Sequence, residues 1–419
     1  MLTVTILRCK DNSFFAIATT LFPFATLVQR FCGNFVVMKK NAGKLILIAG
    51  LTLSAHGVFA QAPIREEYLP LARMLSTSPE SVPTEGNSVE FIEDGDHLVF
   101  SLIQDILQAQ RSVHVEFYEF TPELHIVRSA LKLKAMDGAD VLFIAEDLHQ
   151  RPHYINGMKD CGVRVLHYRP QAGHHRNHRK IVVIDGTVAY AGGSNLEASN
   201  IYEWDDTNIR ITGPSVLSLD ETFMKMWRHL GGGAPAWADE RVPGQGSVVI
   251  QSVADAPLDG KTLNLDAYLW ALDNAKEYFH ARTPYFAPPR KLRDAMKRAA
   301  ARGVDVKIII PDRSDFRWMD AVNRTYVEEL ADAGVKIYFR EDVFDHSKVF
   351  VSDGYLSSIG SVNLDNQSLR RNYENNLYFY DESMAREMEA RFSSALSGSR
   401  ELSAGEGSVG LLRLLAPLL

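Results

Sequence analysis

Two apolar runs share one alternation. Ile181 and Val183 in the first, and Val349 and Val351 in the second, take every other position. Ahead of them, also two apart, stand His178 and Lys180, and His346 and Lys348. A period of two predicts β-strands, with each His and Lys on one face and the apolar set packed into a core on the other. Matching segments lie upstream of both runs. Gly138-Ala139-Asp140-Val141 corresponds to Gly303-Val304-Asp305-Val306. Asp160-Cys161-Gly162-Val163-Arg164-Val165 corresponds to Asp332-Ala333-Gly334-Val335-Lys336-Ile337. A Gly closing a helix and leading into a β-rich run marks the helix-to-strand connection of an α/β domain. The repeat is far longer than a solenoid period, so it predicts two duplicated lobes, over 90–230 and 247–396. The Gly- and Pro-bearing stretch 231–246 reads as their linker. Aromatics alternate with polar residues from Val113 to Phe120, which predicts a half-buried strand.

The termini differ from this body. From Met38 a basic start, an apolar core and the small-residue exit Val58-Phe59-Ala60 read as a secretory signal peptide over 38–60, cleaved after Ala60 or Ala62. Residues 1–37 carry a second apolar stretch, Ser13 to Val28, interrupted by Pro23. It is short for a bilayer span and reads as lying upstream of the true start, making 1–60 a leader. The rival reading joins both apolar stretches in a membrane hairpin. The tail, 397–419, is apolar from Val409 onward with Arg413 inside it, and suits either a membrane interface or a cap on the second lobe. The expectation is an exported protein of the periplasm or cell envelope, associated with a membrane surface.

Composition is that of a globular chain, 46% hydrophobic and 23% charged. Charge narrows the partners. The whole chain is at −7; without residues 1–60 it keeps 39 basic against 51 acidic residues, a net −12. Nucleic-acid binding calls for a basic footprint, so none is expected as partner. The local exception is His174-His175-Arg176-Asn177-His178-Arg179-Lys180, which reads as an anion-binding mouth, with Arg176 and Arg179 either lining it or packed as lobe structure. Of Cys9, Cys32 and Cys161, only the last survives leader removal, so no internal disulfide is expected, and Cys161 reads as a small buried residue. Neither a Gly-rich phosphate loop nor a Cys/His cluster is present, so no cofactor and no metal is expected.

The candidate chemistry lies at the two alternating runs. Each is a His-x-Lys-x-x-x-x-Asp followed by Gly and, three positions on, Asn: His178, Lys180, Asp185, Gly192, Asn195, and His346, Lys348, Asp353, Gly360, Asn363. Two imidazoles and two ammonium groups meeting in one pocket suit an anionic phosphodiester. One neutral His attacks phosphorus and the other protonates the leaving oxygen. We assign His178 as nucleophile and His346 as acid and base, a polarity that pseudo-symmetry allows to be reversed. Lys180, Lys348, Asn195 and Asn363 would stabilise the non-bridging oxygens. Asp185 and Asp353 precede Gly at strand ends and read as turn residues. Eleven positions beyond each Asn stands a carboxylate, Asp206 and Glu374, placed to orient an imidazole or simply to sit solvated at a strand end.

The paired motifs resemble the phospholipase D superfamily, and the flanking segments resemble bacterial cardiolipin synthases within it. RNHRKIVVIDG, WDDTNIRITGP, TPYFAPP, AAARGVDVKIIIPDRSD, EELADAGVKIYF, GSVNLD and LLRLLAPLL carry the likeness, from about Glu90 to the C-terminus. The resemblance implies two α/β/α lobes with mixed β-sheets, related by a pseudo-twofold axis, with one active site between them. It also implies metal-independent phosphatidyl transfer from phosphatidylglycerol through a phosphohistidine, with Asp206 and Glu374 supporting the imidazoles. Three departures fall toward the acceptor side: Asn366-Gln367 after GSVNLD, Glu119-Phe120-Thr121-Pro122-Glu123, and a short Leu196–Glu203 loop. The acceptor therefore stays open between water, glycerol, another alcohol and a second phospholipid. A phospholipase D-type hydrolase, a phosphodiesterase or nuclease, and a non-catalytic lipid-binding protein are the alternatives.

Overall fold

Both alternating runs form strands, Lys180–Ile184 and Val349–Ser352, and each is buried on both faces. The computed structural model describes residues 64–147, 152–170, 175–236, 242–403 and 405–407, together with four short strands inside 1–61. Those four, Thr3–Arg8, Phe14–Thr19, Val36–Val37 and Leu47–Leu51, make an antiparallel sheet within a unit of their own, Met1–Gln61. The proposed signal-peptide exit and both cleavage points lie outside the described residues, as does the apolar tail from 408 onward. Among the described residues no helix is long and apolar enough to cross a membrane.

The second unit, Ala62–Leu419, is organised by one 15-stranded mixed sheet whose order is nearly palindromic. From the centre outward the first half runs Thr84–Ile92, Asn208–Thr212, Val188–Gly192, Lys180–Ile184, Ser112–Phe117, Asp140–Glu146, Arg164–Tyr168. The second runs Val248–Ala254, Asn375–Tyr380, Leu356–Gly360, Val349–Ser352, Tyr278–Arg282, Asp305–Pro311, Lys336–Arg340, with Ser399–Glu401 added at its edge. The halves join where Thr84–Ile92 pairs antiparallel with Val248–Ala254. In each half the outer connections are parallel and the inner ones antiparallel, except that the added edge strand Ser399–Glu401 is antiparallel. The expected α/β lobes are thus present, with their sheets hydrogen-bonded into one.

The apolar faces of the motif strands explain why the two motifs meet. Ile181 and Val183 share a core with Val349 and Val351, closed by Val216 and Leu219 of helix Ser215–His229 and Met384 and Met388 of helix Glu382–Ser397. Burying these apolar faces against each other is the main favourable term holding one half to the other. It also sets the strand starts, and so both His-Lys pairs, at one end of the seam.

Two expectations are corrected. The strand Ser112–Phe117 is fully buried, not half-buried, because a parallel and an antiparallel neighbour flank it and helices cover it. Its polar residues are paired inside: His114 Nδ1 lies 2.6 Å from Asp220 Oδ1, and Glu116 accepts from Asn177 Nδ2 at 2.7 Å. Cys161 is half-buried, since it ends a short turn ahead of the left-handed Gly162 instead of entering the core. Residues 64–83, unassigned from sequence, carry helix Leu69–Leu75, which buries Leu71 and Leu75 in the core of the second half.

Candidate active site

Each motif histidine is stapled to the opposite half. His178 N donates to Tyr373 O at 2.9 Å, and Tyr373 N donates to Arg176 O at 2.8 Å. In the same way His346 N donates to Asp205 O at 2.7 Å, beside a parallel pairing of Trp204–Asp205 with Phe344–Asp345. These backbone ties deliver the carboxylates. Glu374 lies 3.0 and 3.1 Å from His178 Nδ1, and Asp206 Oδ2 lies 2.6 Å from His346 Nδ1. With Nδ1–H held by a carboxylate, His178 keeps its Nε2 lone pair for chemistry, while Nε2 of His346 faces Lys348 Nζ. Asp206 is therefore no solvated strand-end acid; its side chain is 2% exposed.

The two halves are not equal at this point. Ser361 and Ser368 donate hydroxyls to Glu374, and Asn372 Nδ2 donates at 3.0 Å. The position matching Ser361 is Gly193, where a Cβ would stand 2.1 Å from Asp206 Oδ1, so no side chain fits there. Besides His346, Asp206 accepts Thr207 N at 2.7 Å. The charges follow the donors. Burial pushes the Glu374 carboxyl up, but His178, Lys180 and Ser361 outweigh it and hold it below the usual value. Burial raises Asp206 to about 6 against weaker opposition from Lys348 and Thr207.

Burial also disfavours the charged form of both histidines. His178 is brought down to about 4 by desolvation, partly offset by Glu374. His346 falls well below its usual value through desolvation, Lys348, Lys180 and His178, so one field spans both motifs. Desolvation lowers Lys180 to about 7 and Lys348 to about 8, each partly restored by Glu374 and Asp206. Lys180 Nζ donates to His178 O at 2.7 Å, and Lys348 Nζ sits 3.0 Å from His346 Nε2. Asn195 Nδ2 donates to Glu119 at 3.2 Å. Asn195 Oδ1 and Asn363 Oδ1 are buried without a hydrogen-bond partner. Each amide oxygen is thus an acceptor left for a ligand hydroxyl.

The remaining motif positions are architectural. Asp185 and Asp353 adopt positive φ, 52° and 49°. The Asp185 carboxylate accepts the backbone N–H groups of Gln110, Arg111 and Ser112 at 2.7–2.9 Å. Asp353 does the same for Lys276, Glu277 and Tyr278 at 2.8–2.9 Å. Gly192 and Gly360 let the neighbouring strand close in, since a Cβ would meet Asn208 Oδ1 at 2.4 Å and Asn376 Oδ1 at 2.1 Å. Those amides in turn accept Ser194 N and Val362 N, both at 3.2 Å.

Of the basic cluster, Arg179 is buried as lobe structure: its guanidinium donates to the carbonyls of Glu374 and Asp255. Arg176 reaches the Tyr118 hydroxyl at 2.8 Å, and Tyr118 packs edge-on to His178 at 4.9 Å. Sequence reasoning missed the aromatic walls, Tyr118 at His178 and Trp204 and Phe344 at His346, where Tyr285 from the TPYFAPP segment joins them. It also missed the ion-pair lattice of Arg282 with Asp345 and Asp205 that ties the halves beside His346. A signal was available, because the residue before each motif His, Asn177 and Asp345, is polar where a strand would bury it. No group of His, Cys, Asp and Glu among the described residues could hold a metal ion. The positive charge at the site comes from lysines.

The chain matches the family described as cardiolipin synthase, PLD-like domain, over residues 102–227 and 268–396. It is 30% identical over 345 residues to a probable cardiolipin synthase of Bacillus subtilis (strain 168), covering 77% of this chain and 68% of that one. It is 29% identical over 381 residues to a cardiolipin synthase of Oceanobacillus iheyensis, covering 84% and 80%. Among solved structures, phosphatidylserine synthase of Haemophilus influenzae Rd KW20 superposes with a TM-score of 0.61 at 13% identity, over 80% of this chain and 92% of that one. A polyphosphate kinase from Porphyromonas gingivalis gives 0.54 at 14% identity, over 77% and 49%. At those identities the structural likeness is one of fold.

Proposed function

We propose, from the premise that this chain belongs to the cardiolipin synthase, PLD-like domain family, that it moves the phosphatidyl group of phosphatidylglycerol onto a hydroxyl of a second phospholipid. It is a phosphatidyltransferase of the phospholipase D superfamily, and its substrates are phospholipids. The observation that carries the finer reading is the crossed pairing of His178 with Glu374 and His346 with Asp206. A pair of oriented imidazoles with two lysines is a complete set for double displacement at phosphorus.

In the first step His178 Nε2 bonds to phosphorus as the bond to the head-group oxygen breaks. His346 gives that oxygen its proton, releasing glycerol. In the second step the acceptor hydroxyl gives its proton to His346 and bonds to phosphorus as the P–N bond breaks. Glu374 suits the nucleophile's partner, because a phosphohistidine that keeps its Nδ1 proton is cationic, and the well-donated carboxylate stays ionised beside it. Asp206, held near 6, suits the partner of a histidine that gains and loses a proton. Binding the phosphodiester anion offsets the lysine charges and lets His346 take up the proton it must donate.

The signal-peptide pattern of the sequence over 38–60 supports placing this reaction at the cell envelope, and exchange between phosphodiesters needs no nucleotide there. The test is incubation of the purified protein with labelled phosphatidylglycerol, with and without phosphatidylethanolamine, followed by lipid analysis. A dimeric phospholipid and free glycerol are expected. Phosphatidic acid as sole product would overturn the transfer reading in favour of hydrolysis.

A further inference from the structure

A second feature of the seam faces outward. Phe316 and Trp318 are 52% and 49% exposed, with ring centroids 6.5 Å apart, and they flank the exposed Arg317, with Arg313 exposed just before. Scattered single apolar residues on a surface need no explanation, but two large aromatics on either side of an arginine, with Arg313 and Asp315 just before them, do. They are held in place, not dangling. Met319 and Val322 of helix Arg317–Asn323 are buried against Ala287 and Tyr285. Asn323 clamps the base, accepting Phe286 N and donating to Pro284 O, both at 2.9 Å.

The same segment is tied to the catalytic centre. The Tyr285 hydroxyl donates to Asp315 Oδ2 at 2.8 Å, and the Tyr285 ring meets His346 edge-on at 6.4 Å. Tyr285 and Asp315 thus link the segment that carries the exposed aromatics to His346. Aromatic rings beside cationic side chains are the composition that settles at the boundary of an anionic bilayer, the rings among upper acyl chains and the cations among phosphates.

We propose that Phe316 and Trp318, with Arg313 and Arg317, form a lip that enters an anionic phospholipid surface and opens the path from that surface to His346. The inference rests on the phosphatidyltransferase reading and names the surface from which that site draws its substrate. The other exposed apolar face, Phe100, Ile126, Leu133 and Met136 on helices Gly95–Gln108 and His125–Met136, has no such tie to the site.

The test uses the full chain and vesicles of phosphatidylglycerol and phosphatidylcholine at equal parts. Phe316→Ser with Trp318→Ser lowers vesicle partitioning at least about tenfold. Turnover of monomeric short-chain phosphatidylglycerol stays within about twofold of the wild type. Brominated acyl chains quench wild-type tryptophan emission, and Trp318→Phe removes that quenching while keeping the fold and the partitioning. Arg313→Gln with Arg317→Gln abolishes the preference for these vesicles over pure phosphatidylcholine. Unchanged partitioning of the double serine variant, or an equal loss from Phe100→Ser with Ile126→Ser instead, overturns the lip. Lip-dependent partitioning in a protein that turns over neither form of phosphatidylglycerol would support the lip while removing the transfer reading.

Discussion

Ser361 donates its hydroxyl to Glu374, the carboxylate that orients His178, while the matching position in the first half is Gly193 and offers Asp206 no donor. Ser361, Ser368 and Asn372 thus all donate to Glu374, where Asp206 has the Thr207 N–H besides His346. Ser361→Ala is expected to lower kcat about tenfold, the scale of one hydrogen bond to a charged group, with little change in KM. Glu374→Gln and Asp206→Asn, which spoil tautomer and charge outright, are expected to lower kcat by about 10²–10⁴. Steady-state rates on phosphatidylglycerol check the order. A Ser361→Ala enzyme as active as wild type would remove the asymmetry from the mechanism.

That asymmetry makes His178 the expected site of the covalent intermediate. A phosphatidyl ester of p-nitrophenol leaves without needing a proton, so loss of the acid histidine spares the first step. His346→Ala is expected to release p-nitrophenol in a burst and accumulate label on His178 as an acid-labile, alkali-stable adduct. His178→Ala should show neither burst nor label. The mirror result would place the nucleophile on His346 and reverse the polarity.

Much of this was legible in the sequence because it repeats. Identical spacing from His to Asn in both motifs pointed to the strands and to the candidate site residues, whereas the close strand approach at Gly192 and Gly360 was not read from it. Eleven positions from Asn195 and from Asn363 also located both carboxylates. The crossing could not be read, because which carboxylate serves which histidine depends on the backbone ties His178–Tyr373 and His346–Asp205 between residues far apart in the chain. Burial of Ser112–Phe117 escaped for a related reason. Alternation marks a half-buried strand only when polar residues face water, and here His114 and Glu116 face buried partners instead. Arg179 sat in a basic cluster that looked like one mouth, yet the strand period turns it away from His178 and Lys180.

The motif aspartates are expected to matter for stability and not for turnover. Asp185 gathers three backbone N–H groups at a left-handed position, and Asp353 repeats this in the second half. Asp185→Ala removes an ionised acceptor and places a Cβ-bearing residue without that anchor at φ 52°. A loss of about 2–4 kcal/mol is expected, read as a lower denaturation midpoint. At a temperature where the variant is folded, kcat should stay within about threefold of wild type. A selective collapse of kcat with an unchanged midpoint would return these aspartates to the chemistry.

The buried lysines set the pH dependence. Lys180 is held at about 7 and Lys348 at about 8, so both are charged in mildly acidic solution and lose their protons through neutrality and above. Phosphodiester binding needs those charges, so kcat/KM, which reports the free enzyme, should fall on the alkaline side from about pH 7 to 8. The acid side follows Asp206, which gains a proton near 6 and then no longer accepts from His346 Nδ1. These values belong to a coupled cluster, so the limbs report the group, not single residues. Lys180→Arg and Lys348→Arg keep their charge at any working pH and should move the alkaline limb upward, whatever they cost in absolute rate. Stability has its own sign. Lys180 titrates at about 7 when folded against 10.5 when unfolded, so across that window the unfolded chain holds the extra proton. Burying this lysine therefore weakens the fold most at pH 7 and below, and the penalty fades as pH rises toward 10.5. Lys180→Met should accordingly raise the denaturation midpoint more at pH 6 than at pH 9, while abolishing turnover. An alkaline limb unmoved by either arginine variant, with no pH dependence in the Lys180→Met gain, would show that the site's charge does not come from these two lysines.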